Sequence, residues 1–181
     1  MVDPEELGYS ELTDSGQIFN EHHIQPTPEL IDLFFLACKS GQSEIIGIFL
    51  SNGFDLLMEG NNGITPVHIF TLFNHGNLID QVCLSQPELF NLKKGNTQTT
   101  PFHLAVMNGH DKTVAHLIEK GANPNLRNSF GSTPTEMAIH TNNPDVALIL
   151  LHNKKTRLDG KTVISIKKAI TQKINEPEFV S

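Results

Sequence analysis

Apolar residues in this chain fall into short stripes at helical spacing, never into long runs. Val114, Leu117 and Ile118 lie three or four apart, the period of one face of an α-helix. Val146, Ile149 and Leu150 repeat that spacing, and so do residues 163, 166, 170 and 174, with lysines off the stripe. The stripes are punctuated in a regular way. Thr27-Pro28, Thr65-Pro66, Thr100-Pro101 and Thr133-Pro134 each stand before a stripe. Proline at the first helical position loses no hydrogen bond, and the threonine before it can cap the helix start. Gly109 and Gly121 stand where helices must end, in the left-handed conformation that glycine adopts without strain. The pattern predicts pairs of short helices. One such pair cannot bury its apolar face alone, so neighbouring pairs must supply the other half.

The spacing between the pairs supports this. Thr65, Thr100 and Thr133 are separated by steps of 35 and 33 residues, and a further 33 backward lands on Asp32. A fixed period in this range means stacked supersecondary units, which disfavours a single enclosed active site. The third unit reads Thr100-Pro101-Phe102-His103-Leu104-Ala105, then Asn108-Gly109-His110, Val114-Ala115-His116-Leu117-Ile118 and Gly121-Ala122-Asn123-Pro124-Asn125. This resembles the ankyrin repeat. The second unit keeps Thr65-Pro66-Val67-His68. The fourth keeps Gly131-Ser132-Thr133-Pro134 and the Val146–Leu151 helix. The first lacks the Thr-Pro-x-His opening but has Ala37-Cys38, Gly41, Glu44-Ile45-Ile46 and Gly53-Phe54-Asp55 at matching offsets.

The resemblance implies an all-α solenoid of stacked helix-turn-helix units joined by hairpin-like loops. It covers residues 28–153, in units of about 28–60, 61–95, 96–128 and 129–153. An acidic extension, 1–27, precedes the units and is expected to cap them. A basic capping helix and tail, 154–181, follow. The family's histidine at Thr-Pro-x-His bonds neighbouring backbone, so His68 and His103 are read as scaffold. Two departures stand out. The second unit is two residues longer, and the extra length is assigned to a helix extension or a bulged turn around Asn74-His75-Gly76, bringing Phe70, Leu72 and Phe73 beside the binding face. Its second helix is expected to break at Pro87. The fourth unit has Thr135-Glu136 where Leu-His would stand, the mark of a degenerate terminal repeat.

Charge and chemistry narrow the function. Residues 1–92 hold 13 acids and one base, Lys39, whereas residues 93–181 hold 12 bases and 7 acids. The chain is electrically polarised along its stack. Seven of the 13 bases lie between Lys154 and Lys173, but the segment lacks interleaved aromatics and belongs to an acidic protein, so it gives no nucleic-acid footprint. A solvated lysine face on a capping helix is preferred to contact with an anionic lipid surface. No window approaches a membrane span, and Met1–Glu6 lacks the basic-then-apolar pattern of a secretory leader. Cys38 and Cys83 sit in apolar helical runs and read as buried, reduced thiols of a cytosolic protein, with a disulfide as the minor alternative. The nine histidines, the His22-His23 pair included, show no zinc spacing with cysteine. There is no phosphate-binding glycine loop, no G-x-S-x-G and no H-E-x-x-H. No cofactor, metal or catalytic residue is assigned.

Ankyrin-like stacks bind proteins through the hairpin tips and the exposed, concave face of each first helix. Carried onto this sequence, those positions are Asn61, Asn62, Ile64, Leu72 and Phe73 in the second unit. The third contributes Asn96, Thr97, Thr99, Met107 and Asn108, and the fourth Ser129, Phe130, Ser132, His140 and Thr141. Clustered exposed apolar residues mark interaction sites, and aromatics often anchor them. The preferred reading is a monomeric, non-enzymatic module that binds a protein partner in the cytosol. The irregular, Asn- and Phe-rich repeats also resemble ankyrin proteins that intracellular bacterial pathogens deliver into host cytosol. A third reading is a lipid-surface adaptor acting through the basic C-terminal helix.

Overall fold

The computed structural model describes residues 26–175, with the backbone alone at Lys173 and Ile174. The expectations for residues 1–25, their capping role and the His22-His23 pair among them, lie outside the described residues. Four helix pairs follow in order: α1 (Pro28–Ser40) with α2 (Ser43–Ser51), α3 (Pro66–Leu72) with α4 (Gly76–Ser85), α5 (Pro101–Met107) with α6 (Asp111–Glu119), and α7 (Pro134–His140) with α8 (Pro144–His152). A longer α9 (Gly160–Asn175) closes the C-terminal end. The first helices pack side by side, α1 on α3, α3 on α5 and α5 on α7, each backed by its second helix. Among the described residues the only β pairing is an isolated antiparallel bridge, Lys94 with Thr99. This is an all-α ankyrin-type solenoid.

The Thr-Pro dipeptides form the helix starts that the spacing predicts. Thr65, Thr100 and Thr133 are N-caps with extended backbone, and each belongs to a reciprocal capping box. Thr27 caps α1, which begins five residues before the 33-residue frame would place it. The core runs unbroken through the stack, from Phe34 and Cys38 through Phe70 and Val82 to Phe102, Leu117, Ala147 and Leu150. Ile166 of α9 is wholly buried against α7 and α8, with Ile170 packed beside it. Lys161, Lys167 and Lys168 of the same helix face solvent.

The irregular second unit meets its expectation in part, through a helix extension and not a bulged turn. Thr65 to Asn74 spans the same step as Thr100 to Gly109 and Thr133 to Asn142, and α3, α5 and α7 each hold 7 residues. The extra length is therefore not at Asn74–Gly76. One residue extends α4, which ends at Ser85 before a 3-10 turn over Pro87–Asn91, and the other lies in the 92–99 loop. Pro87 ends the helix because it has no N–H to donate. Phe70 does not reach the binding face. It is buried in the core.

Candidate partner-binding face

Two hydrogen-bond ladders fix the first helices relative to one another. In one, a capping-box histidine reaches forward to the next unit. His68 Nδ1 accepts from Thr65 Oγ1 at 2.8 Å while Nε2 donates to the Thr99 carbonyl at 2.9 Å. His103 repeats this with Thr100 Oγ1 at 2.7 Å and the Ser132 carbonyl at 3.3 Å. These partners assign the neutral Nε2–H tautomer. Burial pushes both imidazoles below the ordinary histidine value, His103 to about 4. The second ladder runs backward: His75 Nε2 donates to the Lys39 carbonyl, His110 Nε2 to Leu72, and Asn143 Nδ2 to Val106 and Met107. Both histidines of the Thr-Pro-x-His motif are thus occupied structurally, as the resemblance implies.

On this rigid layer, five of the named positions come together. Asn61, Asn62, Ile64, Leu72 and Phe73 line one groove of about 430 Å³ with Asp32, Phe35, Leu36 and Lys39 of α1. The loop turns inward because Gly60 has no Cβ: an added one would stand 2.8 Å from the Phe35 ring. Asn62 holds the next turn with φ of 69°, a conformation asparagine tolerates. Phe73 is 43% exposed yet held in place. Its ring stacks on His75 with centroids 6.1 Å apart, and Lys39 Nζ lies 5.7 Å from its centroid. His75 is itself tied to α1, so the aromatic is positioned before any partner arrives.

The remaining positions spread along the face. Asn96, Asn108, His140 and Thr141 are exposed, and Met107 is half-buried on α5. The tips of the second and third loops are joined, Ser129 N–H donating to the Thr97 carbonyl at 2.9 Å. Phe130 stands 76% exposed at its tip, where Asn128 Oδ1 accepts from the Phe130 and Ser132 amides. Thr99 is the correction. It is buried, its carbonyl accepts from His68 and its hydroxyl bonds Thr97, so it belongs to the ladder and not to the face. Sequence reasoning missed Asp32, Phe35, Leu36 and Lys39, because the first unit lacks the Thr-Pro-x-His landmark. The signal was the 33-residue frame, which superposes Lys39 on Leu72 and Leu36 on Ile69.

The periodic ladder, the capping boxes and the stacked pairs decide the family. The chain belongs to the ankyrin-repeat family. The family model for ankyrin repeats matches residues 34–128 and 86–162. Over 111 residues the chain is 27% identical to a tyrosine-protein kinase of Hydra vulgaris, HTK16, covering 61% of this chain and 15% of the kinase. It is 29% identical over 109 residues to the putative ankyrin repeat protein FPV031 of fowlpox virus, covering 59% of this chain and 32% of that protein. A human ankyrin repeat domain-containing protein 29 is 47% identical over 51 residues, 28% of this chain and 16% of the relative. The chain therefore spans a third or less of each of these relatives. The ankyrin repeat is a general protein–protein interaction module. The register also continues past Asn153: Asn125 Nδ2 donates to the Lys155 carbonyl and its Oδ1 accepts from Arg157, as Asn91 does with Gly121 and Asn123.

Cys38 and Cys83 are free and buried, and burial pushes the Cys38 thiol up to about 12. A thiol so held is a core group and not a nucleophile. Among the described residues no three His, Cys, Asp or Glu side chains gather at metal-binding distance, and no helix is long and apolar enough to cross a membrane.

Proposed function

We propose that this chain is a non-enzymatic protein-binding module that holds its partner on the first-helix face and the loop tips, anchored in the α1–α3 groove. The observation that carries this reading is Phe73. It is a large aromatic left exposed at a helix C-cap, oriented by His75 and Lys39, beside exposed Leu36. A side chain ordered in advance loses little rotamer freedom on binding, so its burial translates into affinity. Phe130 offers a second aromatic at a loop tip. The two buried free thiols support a reducing, cytosolic setting.

The test is quantitative affinity capture with the full chain, its Leu36→Asp/Phe73→Asp/Phe130→Asp variant, and Leu84→Asp as a control on the far side of α4. Loss of an aromatic anchor weakens binding by about thirtyfold or more. Partners lost with the triple variant and retained with the control support the face. Equal capture by all three, at unchanged thermal stability, would place binding elsewhere.

A further inference from the structure

The N-terminal end of the stack presents an apolar face that the repeat architecture normally buries. Leu33 on α1 is 50% exposed, and Ile45 and Ile48 on α2 are 41% and 63% exposed. Half-buried Leu30 and Phe49 lie at the base of this face. Phe35 and Lys39 line the groove toward α3, and Leu33, two residues from Phe35, lies about 200° around the helix from it. On α2, Ile46 and Leu50 line the crevice toward α4, and Ile48 lies between them in sequence on the opposite side. These are the sides onto which a preceding repeat would stack.

Connectivity discriminates among occupants. Exposed Glu29 and Glu44 stand beside the face, so any occupant must turn its own acids away from it. Residues 1–25 of this chain join α1 almost directly, since Thr27 is its N-cap. They carry Leu7, Leu12, Ile18 and Phe19, together with six acids and no base. Fully extended they reach about 80 Å, several times the length of a nine-residue helix. A tether this short holds them at an effective concentration of roughly millimolar. Their apolar residues match the face, and their acids supply the polar outer side that a solenoid end requires.

We propose that residues 1–25 close the α1–α2 end face as an intramolecular cap, with Leu12 and Phe19 against Leu33 and Ile48. The experiment places a photo-reactive p-benzoylphenylalanine at position 48, and separately at 33, in the full chain. Irradiation of a mixture of 14N- and 15N-labelled protein, followed by mass spectrometry, maps each cross-link and separates contacts within a molecule from those between copies. Cross-links to residues 1–25 of the same molecule are expected. Leu12→Asp with Phe19→Asp, which leaves the stack untouched, should cut their yield by about tenfold, the effect of removing large apolar side chains from a buried contact. Cross-links to α9 or to any other part of a second copy overturn the proposal. So does an absence of cross-links to 1–25, or a yield that the double substitution does not change.

Discussion

Acidification should loosen the stack through its buried histidines, and His103 sets the scale. Its ring is fully buried between α5 and the third loop, with Nδ1 accepting from Thr100 Oγ1 and Nε2 donating to the Ser132 carbonyl. A second proton on Nδ1 would remove the acceptor and place a charge where water cannot reach it. Desolvation is the main cause that carries its pKa from the ordinary 6.5 to about 4. Between those values the unfolded chain binds more protons than the folded one, so stability is complete above about 6.5 and falls as pH falls. From that difference the folded state loses about 3 kcal/mol by pH 4, with a limiting slope of about 1.4 kcal/mol per pH unit for this one group. His68, displaced in the same direction by burial, adds to the loss with the same sign.

Urea unfolding followed by far-UV circular dichroism from pH 7 to pH 4.5 measures this. That range stays at or above the ordinary 4.5 of Glu136, whose own pKa is lowered in the fold, so its carboxylate contributes little there. His103→Gln keeps a donor and an acceptor but does not titrate. It should be less stable than the parent at pH 7, with a markedly shallower decline toward pH 4.5. An identical decline in parent and variant would refute the assignment of acid sensitivity to the ladder.

Three further expectations follow from the geometry. Gly60→Ala drives a Cβ to 2.8 Å from the Phe35 ring, so it should cost about 1–3 kcal/mol in urea and weaken partner capture by displacing the groove wall; an unchanged midpoint would contradict the close approach. Asn143→Ala removes the bonds to the Val106 and Met107 carbonyls and should destabilise by about 1–3 kcal/mol, whereas a neutral result would mean that water replaces them freely. Cys38 and Cys83 should resist a disulfide reagent in the native protein and react fully in denaturing guanidinium; rapid native labelling of Cys38 would conflict with a thiol whose pKa is pushed up to about 12.

What the sequence revealed depended on whether the cause was local. Thr-Pro caps, the α4 stop at Pro87 and the α9 stripe were legible because each acts within a turn or two of its own position. The place of the two extra residues was not, because a 35-residue step reports a sum without saying where it accrues. The structure divides it between α4 and the 92–99 loop and leaves α3 unaltered. Phe73 was legible as a surface residue, but its orientation needed Lys39 and His75 from separate units. Thr99 misled for the same reason. A loop position looks exposed until the histidine 31 residues before it claims the carbonyl. The α1 wall of the groove was hidden by a missing landmark in an otherwise matching frame.

The replacement of histidine by glutamate in the fourth unit alters the forward ladder. His68 and His103 each need a carbonyl from a following loop. After α7 the chain turns into α8 and then α9, and Arg127 and Arg157 border the space beside Glu136. Glu136 keeps the local half of the arrangement, with Oε2 accepting from the Thr133 amide at 2.6 Å and from Thr133 Oγ1 at 3.0 Å. It then turns to Arg127 of the preceding loop, at 3.3 Å. Glu136 thus makes an ion pair at the basic end, where a carboxylate is favoured by its neighbours. The change at this position therefore exchanges a forward bond to a loop carbonyl for an ion pair with the preceding loop. At the opposite end, α1 and α2 close with no such device among the described residues. Among the described residues the two sides of the stack are chemically unlike: α9 lays a lysine-bearing helix on α7 and α8, whereas the outer side of α1 and α2 is apolar and flanked by acids.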